Sequence, residues 1–376
     1  MELSYAELPL HYGKAPAWLF KRMVALAREI SNVLVLEFGT EGFLEKISDP
    51  FWFQALGCVL GFDWHSSGLT TTTCGALKEA LNKEDLGIAI AGGKGKVSKK
   101  TPGQIVELSE KIGLNESKTE ELVYASRMSA KVDNVALQDS YKLYHHCIFF
   151  DEKGHWAVVQ QGMNEKSGYA RRYHWESSKV KSFDEEPHKA ICCNERKELV
   201  LNLTAKESRE NKKITLDLVK DNPENLNSAF LLLSGQKTLT NWNSVFSKEM
   251  LFMPKEINWD AIRKAYEFQP MNYEEFLGIK GIGPNTVRAL ALISELVYGS
   301  RADWKDPVKY SFTVGGKDGV PFPVKIDVMD EVIEVLNDAV KQARINNYEK
   351  IKAIKRLKEL VSKEKTKKNN NLKKFV

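Results

Sequence analysis

Residues 272–293 constrain this chain more than any others: Asn-Tyr-Glu-Glu-Phe-Leu-Gly-Ile-Lys-Gly-Ile-Gly-Pro-Asn-Thr-Val-Arg-Ala-Leu-Ala-Leu-Ile. One apolar-periodic stretch ends at Leu277 and a second starts at Asn285, which predicts two helices joined by a tight turn at 280–284. Gly281 and Gly283 are expected to take backbone angles that a Cβ forbids. Pro284 suits the first turn of the second helix, where its missing N–H costs nothing. A helix starting there points free N–H groups and a positive dipole end outward, and both favour a phosphate. Lys280, Gly281, Ile282, Gly283, Asn285, Thr286 and Arg288 are therefore the candidate nucleic-acid contacts. An ordinary αα-turn with a glycine cap is the alternative.

Charge bears on the same question. The 376-residue chain carries a formal +5. Residues 349–376 hold eleven Lys/Arg against three Asp/Glu, a local +8 that leaves the rest at −3. A basic tail on a near-neutral body suits association with DNA; a solvated helix end followed by a disordered 361–376 is the alternative. No apolar run approaches the roughly 20 residues of a membrane span. Met1-Glu2-Leu3-Ser4 lacks the basic start of a signal peptide, so the expectation is a cytoplasmic protein with no membrane partner. Five cysteines, Cys58, Cys74, Cys147, Cys192 and Cys193, form no CxxC pair and read as lone buried thiols.

Periodicity predicts an α+β fold, mostly helical, with a small central antiparallel β segment. Helices are expected over 17–30, from Phe51 to about Gly61, over 70–81, from Thr101-Pro102 and over 120–131. Residues 31–47 are mixed. Residues 92–100 read as a basic glycine-rich loop, in which Lys94 and Lys96 are candidates for a second phosphate; simple mobility is the alternative. A hairpin is expected at 146–161 with its turn at Glu152-Lys153-Gly154, then strands at 169–175 and 199–203. Helical patterning returns over 205–265 and 328–360. Length and pattern divide the chain into a helical domain 1–140, a β-rich segment 141–204, a helical domain 205–360 containing the 272–299 module, and the tail.

Between 131 and 188 polar groups crowd an otherwise apolar segment. Lys131, Asp133, Gln138, Asp139, His145, His146, Gln160, Gln161, Arg171, Arg172, His174 and His188 all fall there. Side chains two apart on a strand share a face, so carboxylate, amide, histidine and arginine groups are expected to converge. Phosphodiester hydrolysis needs such a set. The candidate catalytic residues are His146, Gln161, Arg171, Arg172, His174 and Lys131. Asp133 and Asp139 are the candidate ligands for a divalent metal, Mg²⁺ or Mn²⁺. A sheet face that binds phosphate passively is the alternative. Trp64, Trp156 and Trp175 are placed to stack on unpaired bases or to fill the core.

These residues carry three resemblances. Residues 272–293 resemble the helix-hairpin-helix of DNA repair proteins, whose turn holds one backbone phosphate without reading sequence. The chain as a whole is identified as a member of the prokaryotic family called domain of unknown function 763. The likeness rests on His11-Tyr-Gly-Lys-Ala-Pro, on the block from Ser48-Asp-Pro-Phe-Trp-Phe, and on Gly92-Gly-Lys-Gly-Lys. It continues through Val158-Val-Gln-Gln-Gly-Met-Asn, Ala170-Arg-Arg-Tyr-His-Trp, residues 278–289 and the block from Gly315-Gly-Lys-Asp-Gly. It implies a thermophile-associated prokaryotic protein and brings no activity with it. Asp49-Pro-Phe-Trp, the 280–284 turn and Phe322-Pro-Val-Lys also resemble, in order, segments of helix-hairpin-helix DNA glycosylases. Lys325 stands where those enzymes have a catalytic aspartate, so Asp327 or Asp330 would have to substitute. The expectation is a DNA-binding protein of repair or recombination acting as a nuclease. A glycosylase or lyase on damaged bases and a non-catalytic binder of branched or single-stranded DNA are the alternatives.

Overall fold

The computed structural model describes residues 15–62, 67–193, 195–234, 253–308 and 326–357, with side chains of the last segment described from 334. The fold is α+β and mostly helical around a five-stranded antiparallel sheet. The strands are β1 (Ile88–Lys94), β3 (Lys142–Asp151), β4 (Trp156–Asn164), β5 (Tyr169–Glu176) and β6 (Ala190–Cys192), side by side in that order. A two-residue pair, β2 (Leu137–Gln138) with β7 (Leu201–Asn202), lies outside it.

Helices cover both faces of the sheet, so β3 reads as a nearly unbroken apolar run, Cys147-Ile148-Phe149-Phe150, rather than an alternation. On one face Ile90, Cys147, Phe149 and Val159 pack with α1 (Ala17–Ser48), α2 (Pro50–Leu60), α3 (Gly68–Leu81) and α11 (Ile326–Gln342). On the other, Ile148, Phe150, Val158, Tyr173 and Trp175 pack with α5 (Glu116–Lys131) and the helices α6 (Arg209–Lys220), α7 (Pro223–Ser234), α8 (Trp259–Phe268), α9 (Tyr273–Gly278) and α10 (Pro284–Tyr298). A further helix, α4 (Thr101–Lys111), packs on β1 and α5.

Local chemistry sets the helix starts. The Asp49 carboxylate accepts from the N–H groups of Phe51 and Trp52 at 2.9 and 2.8 Å, and Pro50 fills the first position of α2. Asp49-Pro-Phe-Trp is thus a helix cap. Asn115, Asn258 and Asn272 cap α5, α8 and α9 in the same way.

Several expectations change. Residues 31–47 continue α1 through a break at Gly39 (φ 72°), because Leu34, Phe43, Leu44 and Ile47 keep one side buried. The glycine-rich loop begins as β1, an edge strand: Gly92 and Gly93 pair with Cys147 and His146. A Cβ on Gly92 (φ 99°) would lie 2.2 Å from the His146 carbonyl, so that glycine serves close strand approach, not phosphate binding. Lys94 and Lys96 are exposed where β1 passes into a short 3₁₀ turn, residues 95–100. Since β1 joins β3, the boundary at 140/141 cuts through one sheet. Trp64, Lys325, residues 315–319 and the tail 361–376 lie outside the described residues.

Candidate functional site

The pleat separates the polar groups that the sequence placed together. One cross-strand row holds His146, Gln160 and Tyr173; the next holds His145, Gln161, Arg172 and Cys192. Adjacent rows project to opposite faces. Hence Gln161, Arg172 and His174 face α1–α3, whereas His146 and Arg171 face the α5 side. The expected single cluster is two clusters with a sheet between them.

On the α5 side Asp133 and Asp139 are both surrounded by donors. The Asp133 carboxylate accepts from Gln160 Nε2 at 2.6 Å, from Trp175 Nε1 at 3.0 Å and from His188 Nε2. Because Gln160 donates its amide to Asp133, its oxygen faces His146 Nδ1 at 2.8 Å. That nitrogen must then carry the proton, and His146 Nε2 accepts from Ser126 Oγ at 2.8 Å. Burial holds His146 below its usual pKa, which keeps this polarity fixed. Asp139 accepts from Tyr173 Oη at 2.7 Å, from Arg171 at 3.0 Å and from the Tyr141 N–H at 3.0 Å. Arg171 also forks onto Asp306 at 3.0 and 2.7 Å. Burial opposes the charge on Arg171, but Asp139 and Asp306 hold it protonated well above its ordinary range. The expectation that Asp133 and Asp139 ligate Mg²⁺ or Mn²⁺ does not fit this geometry, since both are already surrounded by donors. Trp175 is wholly buried with its N–H on Asp133, so it serves the core and not base stacking. Trp156 is 9% exposed and stacks on Phe183 at 6.0 Å.

On the α1–α3 side Arg172 is fully buried. It donates to His174 Nε2 at 2.8 Å, to Gln54 Oε1 at 3.0 Å, and at 3.3 Å to both Thr70 Oγ1 and the Pro50 carbonyl. Burial lowers Arg172 to about 10 and presses His174 well below its usual value, Arg172 adding to the second effect. Gln161 donates to the Ser67 carbonyl at 2.8 Å and to Tyr144 Oη. Beside this network Cys74 of α3 meets His145 and Cys147 of β3, with all three possible ligand atoms within 4.8 Å of one another and all three residues buried. This is a cluster able to hold a metal ion. Sequence spacing did not reveal it, because only the β3 register and the docking of α3 bring positions 74, 145 and 147 together.

The 279–285 turn is exposed at Lys280, Gly281, Pro284 and Asn285, while Ile282 is buried beneath it. Three neighbours draw its carbonyls inward. Lys131 Nζ donates to the Ile282 carbonyl, Gln138 Nε2 to that of Pro284 at 2.8 Å, and Asn258 Nδ2 to that of Gly281 at 3.3 Å. Thr286 Oγ1 accepts the Asn258 N–H at 3.3 Å. Arg288 Nε donates to Gln138 Oε1 at 2.8 Å, and burial lowers its pKa. Lys131, Thr286 and Arg288 therefore brace the turn from inside, in place of the catalytic or phosphate-binding roles expected of them. Gly281 (φ 101°) needs to be glycine; Gly283 (φ −126°) is extended backbone open to other residues. The α10 ladder starts with the Val287 N–H on the Gly283 carbonyl, so the N–H groups just before it have no intrahelical partner.

A model of a protein family matches residues 4–324, a span that includes the turn, both polar clusters and the cysteine–histidine cluster. The chain belongs to the family described as Protein of unknown function (DUF763). The family match ends just before α11, which holds Asp327 and Asp330 in the part whose side chains are not described. Neither the curated proteins nor the solved structures include a match. Among the described residues no helix is long and apolar enough to cross a membrane.

Proposed function

We propose that the protein binds DNA in repair or recombination, gripping the phosphate backbone at the 279–285 turn. One observation carries this reading. Lys131, Gln138 and Asn258 pull three carbonyls of the turn inward, which leaves an outer face of N–H groups at the start of α10 with Lys280 beside them. Such a preset array of donors binds an anion without rearranging and without regard to base sequence. Fluorescence anisotropy with labelled single-stranded, duplex and flapped DNA tests it. Lys280→Glu combined with Gly283→Val should weaken binding to every sequence alike. Equal affinity of variant and wild type would remove the proposal.

The nuclease reading rests on a different observation. Asp133 fixes His188 by accepting from Nε2, and the ring borders a cleft lined also by Glu186, Asn202, Thr204 and Asp303. With its Nε2–H held by Asp133, the imidazole keeps Nδ1 as its acceptor nitrogen, which suits it to take a proton from water attacking phosphorus while the P–O bond to the leaving oxygen breaks. The cleft is acidic, so a divalent ion, Mg²⁺ or Mn²⁺, must accompany the phosphate. His188, rather than His146 or His174, is then the proton carrier. Incubation of labelled DNA with Mg²⁺ or Mn²⁺ decides it: the wild type should give product and His188→Ala should not. Absence of product with either metal leaves the protein as a binder.

A further inference from the structure

We infer that Cys74, His145 and Cys147 form a site for a thiophilic d¹⁰ cation, Zn²⁺ or Cu⁺, that clamps α3 to the sheet. The inference is independent of the DNA reading. Its first support is an unmet requirement. His145 is 1% exposed, and neither Nδ1 nor Nε2 has a hydrogen-bond partner. A buried imidazole with both nitrogens unmet gives up its hydration with nothing in return. Other buried histidines here are treated differently: His146 has partners on both nitrogens, and His174 accepts from Arg172. A ligand that satisfies His145 is the missing element, and two thiols stand beside it.

Donor chemistry selects the class of ion. Two thiol sulfurs and one imidazole nitrogen are soft to borderline ligands, which favour Zn²⁺ and Cu⁺ and disfavour Mg²⁺, Ca²⁺ and Mn²⁺. Donors within 4.8 Å of one another have to move by less than about 1 Å to reach metal–ligand lengths near 2.0–2.3 Å. Two Cys and one His also match the three protein ligands of open zinc sites, where a fourth position takes water. Trigonal Cu⁺ needs no fourth ligand.

Topology gives the ion a use. Cys74 sits in the middle of α3, while His145 and Cys147 are two apart on the same face of β3. One ion would thus tie the α1–α3 layer to the sheet beside Gly92, whose carbonyl already accepts from Lys78 at 2.7 Å.

The full-length protein, purified without chelator, tests the site by elemental analysis. About one Zn or one Cu per chain is expected, and the Cys74→Ser, Cys147→Ser double variant should contain none. Titration of metal-free protein with Co²⁺ gives a reading that needs no variant: intense sulfur-to-cobalt absorption in the near ultraviolet should saturate at one equivalent. Added Zn²⁺ should bleach that absorption if zinc is the natural ion. Failure of Zn²⁺ to displace it, with one-equivalent binding of Cu⁺ under reducing conditions, assigns copper. The inference is overturned if the purified protein holds neither metal and metal-free protein takes up neither Zn²⁺ nor Cu⁺ at micromolar concentration. It is equally overturned if the serine variant binds as the wild type does.

Discussion

The polar core on the α5 side and the turn at 279–285 both rest on side-chain donors, aimed at carboxylates in the first and at backbone carbonyls in the second, with opposite results. In the core the acids are ringed by donors, Asp139 and Asp306 by Arg171 and Asp133 by Gln160, and His146 meets Ser126 and Gln160; only Arg171 Nε in this set has no partner. At the turn the side-chain donors are spent on three backbone carbonyls, and the N–H groups of Asn285 and Thr286 at the start of α10 have no intrahelical partner. A network of paired donors and acceptors stabilises and specifies a fold; a surface with unpaired donors left over is suited to an anion. Under the proposed function, the difference separates residues whose loss should unfold the protein from residues whose loss should release DNA.

The largest effect should come from the core. Arg171→Leu leaves Asp139 and Asp306 buried and without their shared guanidinium, and breaking a buried ion pair from one side costs about 3–5 kcal/mol. The urea midpoint should fall accordingly, while the fraction that remains folded binds DNA with wild-type affinity. A variant as stable as the wild type would mean that the core does not depend on this network.

Acid should expose the same dependence on the other face of the sheet. His174 is held neutral, its folded pKa well below the unfolded value near 6.5, by burial and by Arg172. A group that binds fewer protons when folded contributes stability that is present above pH 6.5 and is lost as pH falls below it. The slope is about 1.4 kcal/mol per pH unit, so roughly 2 kcal/mol disappears between pH 6.5 and 5. His174→Gln keeps an acceptor for Arg172 and removes the titrating group. Its loss of stability over that interval, read from urea midpoints, should be smaller than that of the wild type; parallel curves would show that His174 does not titrate on unfolding.

The elements legible in the sequence were those whose signals are local. Asp49-Pro50 gave α2 and the Lys280–Pro284 punctuation gave α9 and α10, because caps and turns depend on neighbours in the chain. The β3–β4 hairpin was equally plain from its apolar runs around Glu152-Lys153-Gly154. What was hidden depends on register. Nothing in the order of residues tells whether Gln160 or Gln161 faces His146, and a step of one residue exchanges the faces. For the same reason nothing local in the chain shows that Lys131 meets Ile282 or that Arg288 meets Gln138, so both cations read as phosphate ligands. Strand β1 looked like a loop because its two glycines mask a strand that only pairing with β3 defines. The cysteine–histidine cluster was the least legible: Cys74 lies about 70 residues from His145 and Cys147, and a lone His-x-Cys pair announces no site.

The turn should behave as the reverse of the core. Gly283 is extended with open space around it, so Gly283→Val should fold normally and place a branched side chain over the start of α10. Loss of one phosphate grip amounts to about 1.4 kcal/mol, or tenfold in DNA affinity, with an unchanged urea midpoint. A fall in stability with no change in affinity would place the turn with the core and end the contrast between them.

The basic tail supplies the smallest and most general effect. Residues 361–376 lie outside the described residues, and their contribution follows from charge alone. Residues 349–376 carry +8 against −3 for the rest of the chain, and any long-range attraction to DNA must originate largely there. Deleting 361–376 removes Lys363, Lys365, Lys367, Lys368, Lys373 and Lys374. Each DNA phosphate that the protein no longer neutralises reduces the slope of log affinity against log salt by about 0.9 for duplex DNA. Truncation should therefore flatten that slope by about one unit or more, while the affinity ratio between wild-type and Gly283→Val turns stays the same. A slope that does not move would assign the whole salt dependence to the turn and to lysines of the body such as Lys94 and Lys96.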